Sequence, residues 1–260
     1  MAQLWQYRGW IWTAALGDLR YRYAGSGLGV FWNVISPLAI LCVYLFVFTQ
    51  LFGSRTGMLD SVAIAFPLYL SSGFLPWITF SEGLSRSTQA FLTNSVHLKR
   101  LAIPEIVFVA QSCVSTTVSM GIAIVLVLGV VLAFGITPAW SWLLVPLVLV
   151  LWQAFGLGLS LALSTINVFF RDVGQILVVV LQIWMWSIPV VYFEDILPPT
   201  YRATLPFNPA YPFLTALRET LFEGVPPISV WAAMLVWGLI ACAVGLSVLA
   251  RLRTEIRDLL

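Results

Sequence analysis

Charge is what this chain has least of. Only 9% of its 260 residues are Asp, Glu, Lys or Arg, against about 25% in soluble domains. Between Glu105 and Glu194 the only charges are Arg171 and Asp172. That shortage, with successive apolar runs of 20 or more residues, argues against a water-soluble domain and for a helical membrane protein. Histidine is scarcer still: His97 stands alone. Without paired carboxylates inside any apolar run, metal chemistry and general acid–base chemistry have little support, and His97 reads as a satisfied surface side chain. The three cysteines, Cys42, Cys113 and Cys242, lie far apart in apolar runs. They read as inert buried thiols rather than a disulfide or metal framework. No Gly-rich loop ends in Gly-Lys-Ser/Thr, so ATP binding of the P-loop kind is excluded. No ionisable side chain falls at the centre of an apolar run, which disfavours ion-coupled antiport. The net charge of +2 is too small to suggest nucleic acid. No secretory signal is expected, because the first long apolar run begins near residue 30, too late and too long for one.

What is present is apolar and aromatic: 60% hydrophobic residues and twelve tryptophans. Six runs read as membrane spans, at about 30–52, 61–80, 106–134, 143–166, 173–192 and 228–250. Pro67, Gly73 and Pro76 predict a bent or broken second span. The third has 29 residues and would be about 43 Å long as a helix. That exceeds the roughly 30 Å hydrocarbon core, so the third span is expected to tilt or to project into the cytosol. In the fourth, GLGLSLALS supplies small residues for close helix packing. The fifth carries Pro189 near its outer end, where a kink is expected. Residues 1–24 read as an interfacial helix, with Leu4, Trp5, Ile11, Trp12, Ala15, Leu16 and Leu19 on one side and Arg8 within the stripe. Residues 81–105 form the longest polar piece between spans, expected as a short helix over 82–92 and a turn at Thr93, Asn94 and Ser95.

The stretch that organises the chain begins at Asn167 and ends at Gly224. After the fifth span, residues 194–227 hold seven of the fourteen prolines. Proline breaks a straight span, yet Tyr211, Phe213, Leu214, Leu217, Leu221 and Phe222 make the segment too apolar for an ordinary loop. Short broken helices re-entering the membrane fit, since irregular backbone is tolerated there only inside protein or along a water-filled cavity. A re-entrant element points to a conduit rather than a plain anchor.

Orientation follows from the basic residues. With six spans and a cytosolic N-terminus, the inner segments hold Arg8, Arg20, Arg22, Arg86, Lys99, Arg100, Arg171, Arg251, Arg253 and Arg257. The outer segments hold Arg55, Arg202 and Arg218. Ten against three puts both termini inside.

Several stretches carry a family resemblance. They are DLRYRYAGSGLGVFWNVISPL (18–38), YLSSGFLPWITFSEGLSR (69–86), NVFFRDVGQI (167–176), IPVVYFEDILPP (188–199), FNPAYP (207–212) and the RTEIRDLL tail. The chain resembles, end to end and in order, the membrane subunit of type-2 ABC exporters for cell-surface polysaccharides, most closely the O-antigen exporter permeases. The resemblance implies an all-α, single-domain, multi-pass permease of the inner membrane that is not itself an enzyme. It implies a second copy of the chain, two cytosolic ATP-binding subunits that hold the ATP and magnesium, and a lipid-linked polysaccharide moved outward from the cytosolic side. It also implies coupling to the ATPase through Arg86, Thr93, Asn94, Lys99 and Arg100 on one side and Phe170, Arg171 and Asp172 on the other. The basic residues among these equally serve the positive-inside bias. It makes 194–227 an outer gate with Pro198, Pro199, Asn208, Pro209 and Arg218. Aromatics on the first and fifth spans, Tyr44, Phe46, Phe48, Trp184, Trp186 and Tyr192, suit the C–H faces of sugar rings. Helix packing or an interfacial belt explains each of them singly. Capsule or teichoic acid export, drug or lipid efflux, and a membrane transferase are the other readings, the last weakened by the missing Asp/Glu/His cluster.

The topology is directly testable. Single cysteines labelled from outside intact cells should react at position 202 and not at 99 or 253. Reaction at 99 overturns the six-span arrangement.

Overall fold

The computed structural model describes residues 5–22, 25–52, 59–100 and 103–259. Side chains at 30, 45, 48–52, 59–65 and 257–259 are outside that description. Arg55 and the side chain of Phe48 therefore lie outside it. Among the described residues the chain is helical throughout, with no strand. The helices are α1 (Arg8–Tyr21), α2 (Trp32–Phe52), α3 (Leu59–Thr88), α4 (Ala90–Thr93), α5 (Ser95–Arg100), α6 (Glu105–Ala133) and α7 (Val145–Phe169). They continue with α8 (Val173–Ser187), α9 (Pro199–Arg202), α10 (Tyr211–Phe222) and α11 (Ile228–Leu259). Three stretches, Glu105–Ala133, Trp140–Phe169 and Ile228–Ile256, are long and apolar enough to cross a membrane, and Trp32–Tyr44 and Val173–Ser187 are shorter apolar helices.

α3 is the hub, packed against α2, α6, α7, α8 and α10. From Phe66 to Phe80 every side chain except Tyr69 and Ile78 is buried, as expected of a helix enclosed by neighbours on all sides. That enclosure explains a departure from expectation. α3 runs unbroken through Pro67 and Pro76, because surrounding protein tolerates the missing backbone donors that isolated helices do not. It also runs on to Thr88, so the short helix expected over 82–92 is mostly the end of this one.

α7 and α11 make the closest pair. A Cβ on Gly158 would collide with the backbone of Ala241 and Cys242, and one on Gly245 with the Gly158 carbonyl. Cys242 Sγ reaches the Ala154 carbonyl at 3.3 Å. Small residues here let two backbones touch, the contact on which helix association in membranes depends. α11 is continuous for 32 residues. The tail expected beyond residue 250 is thus its last turns, held by buried Leu249 and Ile256 against Phe91, Leu98 and Phe108.

α8 ends earlier than the apolar run that contains it. The helix stops at Ser187, and Ile188 is extended (φ −123°, ψ 153°) because the following Pro189 disfavours the helical conformation of its predecessor. Residues 188–191 then run as buried irregular chain. α1 lies on α6, burying Ile11, Ala15 and Leu19 at four-residue spacing, while Trp5 and Trp12 are exposed.

The glycine contact makes a clean comparison. Gly158→Leu or Gly245→Leu should lower the thermal midpoint in detergent sharply, since overpacking a fitted core costs about 1–3 kcal/mol or more. Gly238→Ala, where an added Cβ meets nothing within 4 Å, should not. Equal behaviour of all three would show that the α7–α11 contact is not close.

Candidate functional site

Three sites follow from this packing, one against the middle of α3, one along its later turns and one at its C-terminal end. The first surrounds the break after α8. Leaving the helix frees the carbonyls of 188–191 from helical partners, and Arg218, one turn from the end of α10, answers them. Its Nη1 donates to Pro189 O at 2.7 Å, and its Nη2 donates to Val190 O at 3.1 Å and Tyr69 O at 3.3 Å. The guanidinium also lies over the Tyr69 ring, 3.5 Å from its centroid, an attractive cation–π contact. Tyr69 OH donates to Pro189 O at 3.2 Å. Gly73 leaves the room: a Cβ there would stand 2.5 Å from Arg218 Nη2 and 2.8 Å from Val190 O. Arg218 was expected as an outer-segment charge at a gate. Its side chain turns inward and joins α3, α10 and the broken segment.

Beside the clamp, Asn208 gathers the proline-rich segment. Trp184 Nε1 donates to its Oδ1 at 2.8 Å, and its Nδ2 donates to Ser187 Oγ at 3.2 Å. Tyr211 OH donates to Glu194 at 2.9 Å and Tyr201 OH to Ser187 O at 2.9 Å. Pro198 and Pro199 are exposed at the start of α9, and Pro209 is half-buried. Trp184 belongs to an aromatic ladder. It meets Trp77 edge-on at 5.7 Å, while Phe80, Phe155 and Phe213 stack in series at 6.1 and 4.9 Å. Tyr44 packs on Phe74 at 4.4 Å, and Tyr192 OH donates to Trp186 O at 2.9 Å. Phe46 and Trp186, by contrast, stand exposed at 67% and 49%. They sit among the open apolar faces of α2 and α8.

Along α3 lies a groove of about 190 Å³ shared with α8. Trp77, Met185 and Leu181 form its apolar wall, and Ser81, Glu82, Ser85 and Gln182 its polar one. Ser81 Oγ is shielded from solvent and has no hydrogen-bond partner among the described residues. The Trp77 ring with Leu181 and Met185, beside hydroxyl, amide and carboxylate groups, suits a ligand with apolar faces and many hydroxyls.

The third site is at the C-terminal end of α3. Asn167 is fully buried in the last turn of α7. Its Nδ2 donates to Thr88 O and Gln89 Oε1, both at 3.1 Å, and its Oδ1 accepts from Gly174 N at 3.0 Å. Gly174 has no Cβ because Gln89 occupies that space. One side chain therefore joins the end of α3, the end of α7 and the start of α8. It brings the two segments named for coupling side by side. Phe170, Arg171 and Asp172 are exposed on one, and Thr93, Lys99 and Arg100 on the other, with Asn94 half-buried. Phe91 and Leu98 anchor the second segment in the core. Arg86 faces Glu82 at 3.0 Å. Glu82 also lies 3.7 Å from Arg22, which bonds Ser115 at 3.1 Å beside Asp18. Asn167, Gln89, Gly174 and Tyr69 were given no role on sequence grounds. A polar residue at the end of a small-residue apolar helix was the one visible signal.

A multi-pass helical membrane protein with an arginine-clamped irregular segment and two adjoining exposed segments at one end of α3 has the build of a transport permease. Residues 11–222 match the family model of the ABC-2 type transporter, and the chain belongs to that family. It is similar to an "O-antigen export system permease protein RfbA" of Klebsiella pneumoniae, 24% identical over 94% of this chain and 92% of that protein. A protein of the same name from Myxococcus xanthus is 29% identical over 85% and 83%. The "Polysialic acid transport protein KpsM" of Escherichia coli is 25% identical over 80% of each.

The clamp can be tested by the shape of its donor. Arg218→Met strips hydrogen bonds from three carbonyls at once, and charged hydrogen bonds are worth about 1.5–3 kcal/mol each. Folded protein in membranes should fall steeply. Arg218→Lys should not restore it, because an ammonium lacks the planar fork. Full recovery with lysine would mean that charge alone matters.

Proposed function

We propose that this chain is the membrane subunit of an ATP-driven exporter that moves a lipid-linked polysaccharide outward across the inner membrane. Relatives named for O-antigen and polysialic acid share nearly the whole chain, which supports a polysaccharide as the cargo. The observation in this molecule that carries the reading is the groove between α3 and α8. It sets Trp77, Leu181 and Met185 beside Ser81, Glu82, Ser85 and Gln182. O-antigen is the cargo we favour, and the polysialic acid relative keeps a capsule polymer as the second reading.

The rest of the mechanism follows from the three sites. Two copies face each other across the open sides of α2 and α8, where Phe46 and Trp186 with their neighbours line a path for sugar rings. All six spans cross, both termini are cytosolic, and α1 lies along the inner interface. Two ATP-binding subunits dock at the paired loops around Lys99, Arg100, Arg171 and Asp172, and they alone hydrolyse ATP. The chain needs no cofactor of its own. Because Asn167 ties both loops to α3, α7 and α8, a push at the loops moves the groove wall as a rigid body. The proline-rich segment, fixed by Asn208 and Arg218, forms the outer gate.

Two sets of variants in one strain lacking the native gene separate cargo handling from coupling. Ser81→Val with Gln182→Leu should cut surface polysaccharide several-fold with protein level and ATPase co-purification unchanged. Lys99→Glu with Arg171→Glu should weaken co-purification instead. Surface polysaccharide that persists with the groove made apolar, together with altered drug susceptibility, would replace the glycan reading with efflux.

A further inference from the structure

A second cavity lies on the other side of the molecule, between α1, α6 and α7, with a volume of about 490 Å³. Ile11 and Trp12 of α1 cover one end, and Ala110, Val114, Ala154 and Leu157 form the walls. Thr117 turns its hydroxyl back to the Cys113 carbonyl at 2.8 Å. The wall is therefore apolar apart from Gln153, whose Nε2 has no partner among the described residues. Arg8 stands at the rim. From Ala110 to Thr117 the cavity follows eight residues of α6, about 10 Å of helix rise. Val150 in its lining is exposed, as are Val125, Leu132 and Leu147 farther along the same helices, so the cavity opens on a face suited to hydrocarbon. Nothing in the proposed export path uses it.

We infer that this cavity binds one anionic glycerophospholipid of the cytosolic leaflet, its phosphate at Arg8 and one acyl chain between α6 and α7. Three observations choose this occupant. The cavity is long, runs along the helix axes and is open sideways, which fits a chain rather than a compact solute. It begins under α1, which carries exposed Trp12 and follows exposed Trp5, residues that favour headgroup depth. Its single charge is positive and at the rim: Arg8 spends one donor on the Trp5 carbonyl at 3.3 Å and rests on the Trp5 ring at 4.5 Å, leaving other donors of its fork for a phosphate. A lipid seated there completes the packing of α1 on α6, which Ile11, Ala15 and Leu19 begin.

The test is native mass spectrometry of the full-length chain in micelles containing phosphatidylglycerol or phosphatidylcholine. The wild type should retain phosphatidylglycerol in preference. Arg8→Gln should reduce that preference about fivefold, the weight of one basic residue at an anionic surface. Ala110→Trp, which fills the cavity, should abolish retention of either lipid. Val125→Trp, on α6 beyond the cavity, should behave as wild type. Should Ala110→Trp fail to fold, Arg8→Gln decides the matter, since its side chain is exposed and its loss leaves the core intact. Equal retention of the two lipids by the wild type would overturn the assignment, as would unchanged preference in Arg8→Gln. An isoprenoid phosphate as the retained native lipid would do the same, because the site would then belong to the cargo.

Discussion

In hydrocarbon a backbone carbonyl without a partner costs several kcal/mol, and the architecture is an answer to that constraint. α8 stops at Ser187 because of Pro189, and the chain beyond it stays buried. Arg218 makes this tenable by donating to Pro189 and Val190, and also to Tyr69 on the neighbouring helix. A guanidinium has five donors and does not lose its proton in proteins. It therefore suits a site where several acceptors converge and water is scarce. The Tyr69 ring beneath it and the absent Cβ of Gly73 belong to the same arrangement.

From the clamp outward, the molecule alternates rigid contacts with open faces. The Phe80–Phe155–Phe213 stack and the touching backbones of α7 and α11 make a stiff middle. α2 packs on α3 and α6, α8 packs on α3 and α7, and both leave apolar surface uncovered. Exposed apolar area of this kind marks lipid or protein contact. An exporter that opens and shuts needs this division, because packed interiors switch between discrete arrangements rather than stretch.

At the C-terminal end of α3, Asn167 plays the corresponding part with a neutral side chain. It pairs a donor and an acceptor with three neighbouring segments, and its burial makes each bond stronger than it would be in water. The two segments it joins, the turn at 170–172 and the short helices α4 and α5, both carry exposed charges. Arg86, half-buried, pairs with Glu82 at this end.

The membrane character, the long apolar helices, the small-residue packing of GLGLSLALS and the irregular proline-rich segment were legible in the sequence, as was the family. Each is a local property: hydropathy summed over a helix length, a missing Cβ, a missing backbone donor. Tertiary structure alone decided that α3 would continue through two prolines, enclosed by five neighbouring helices. It alone decided that Arg218 would turn inward and that Asn167 would join two loops. Partners of buried polar groups lie far apart in sequence, Tyr69 and Arg218 by 149 positions, and no periodicity along the chain records which side chains folding brings together.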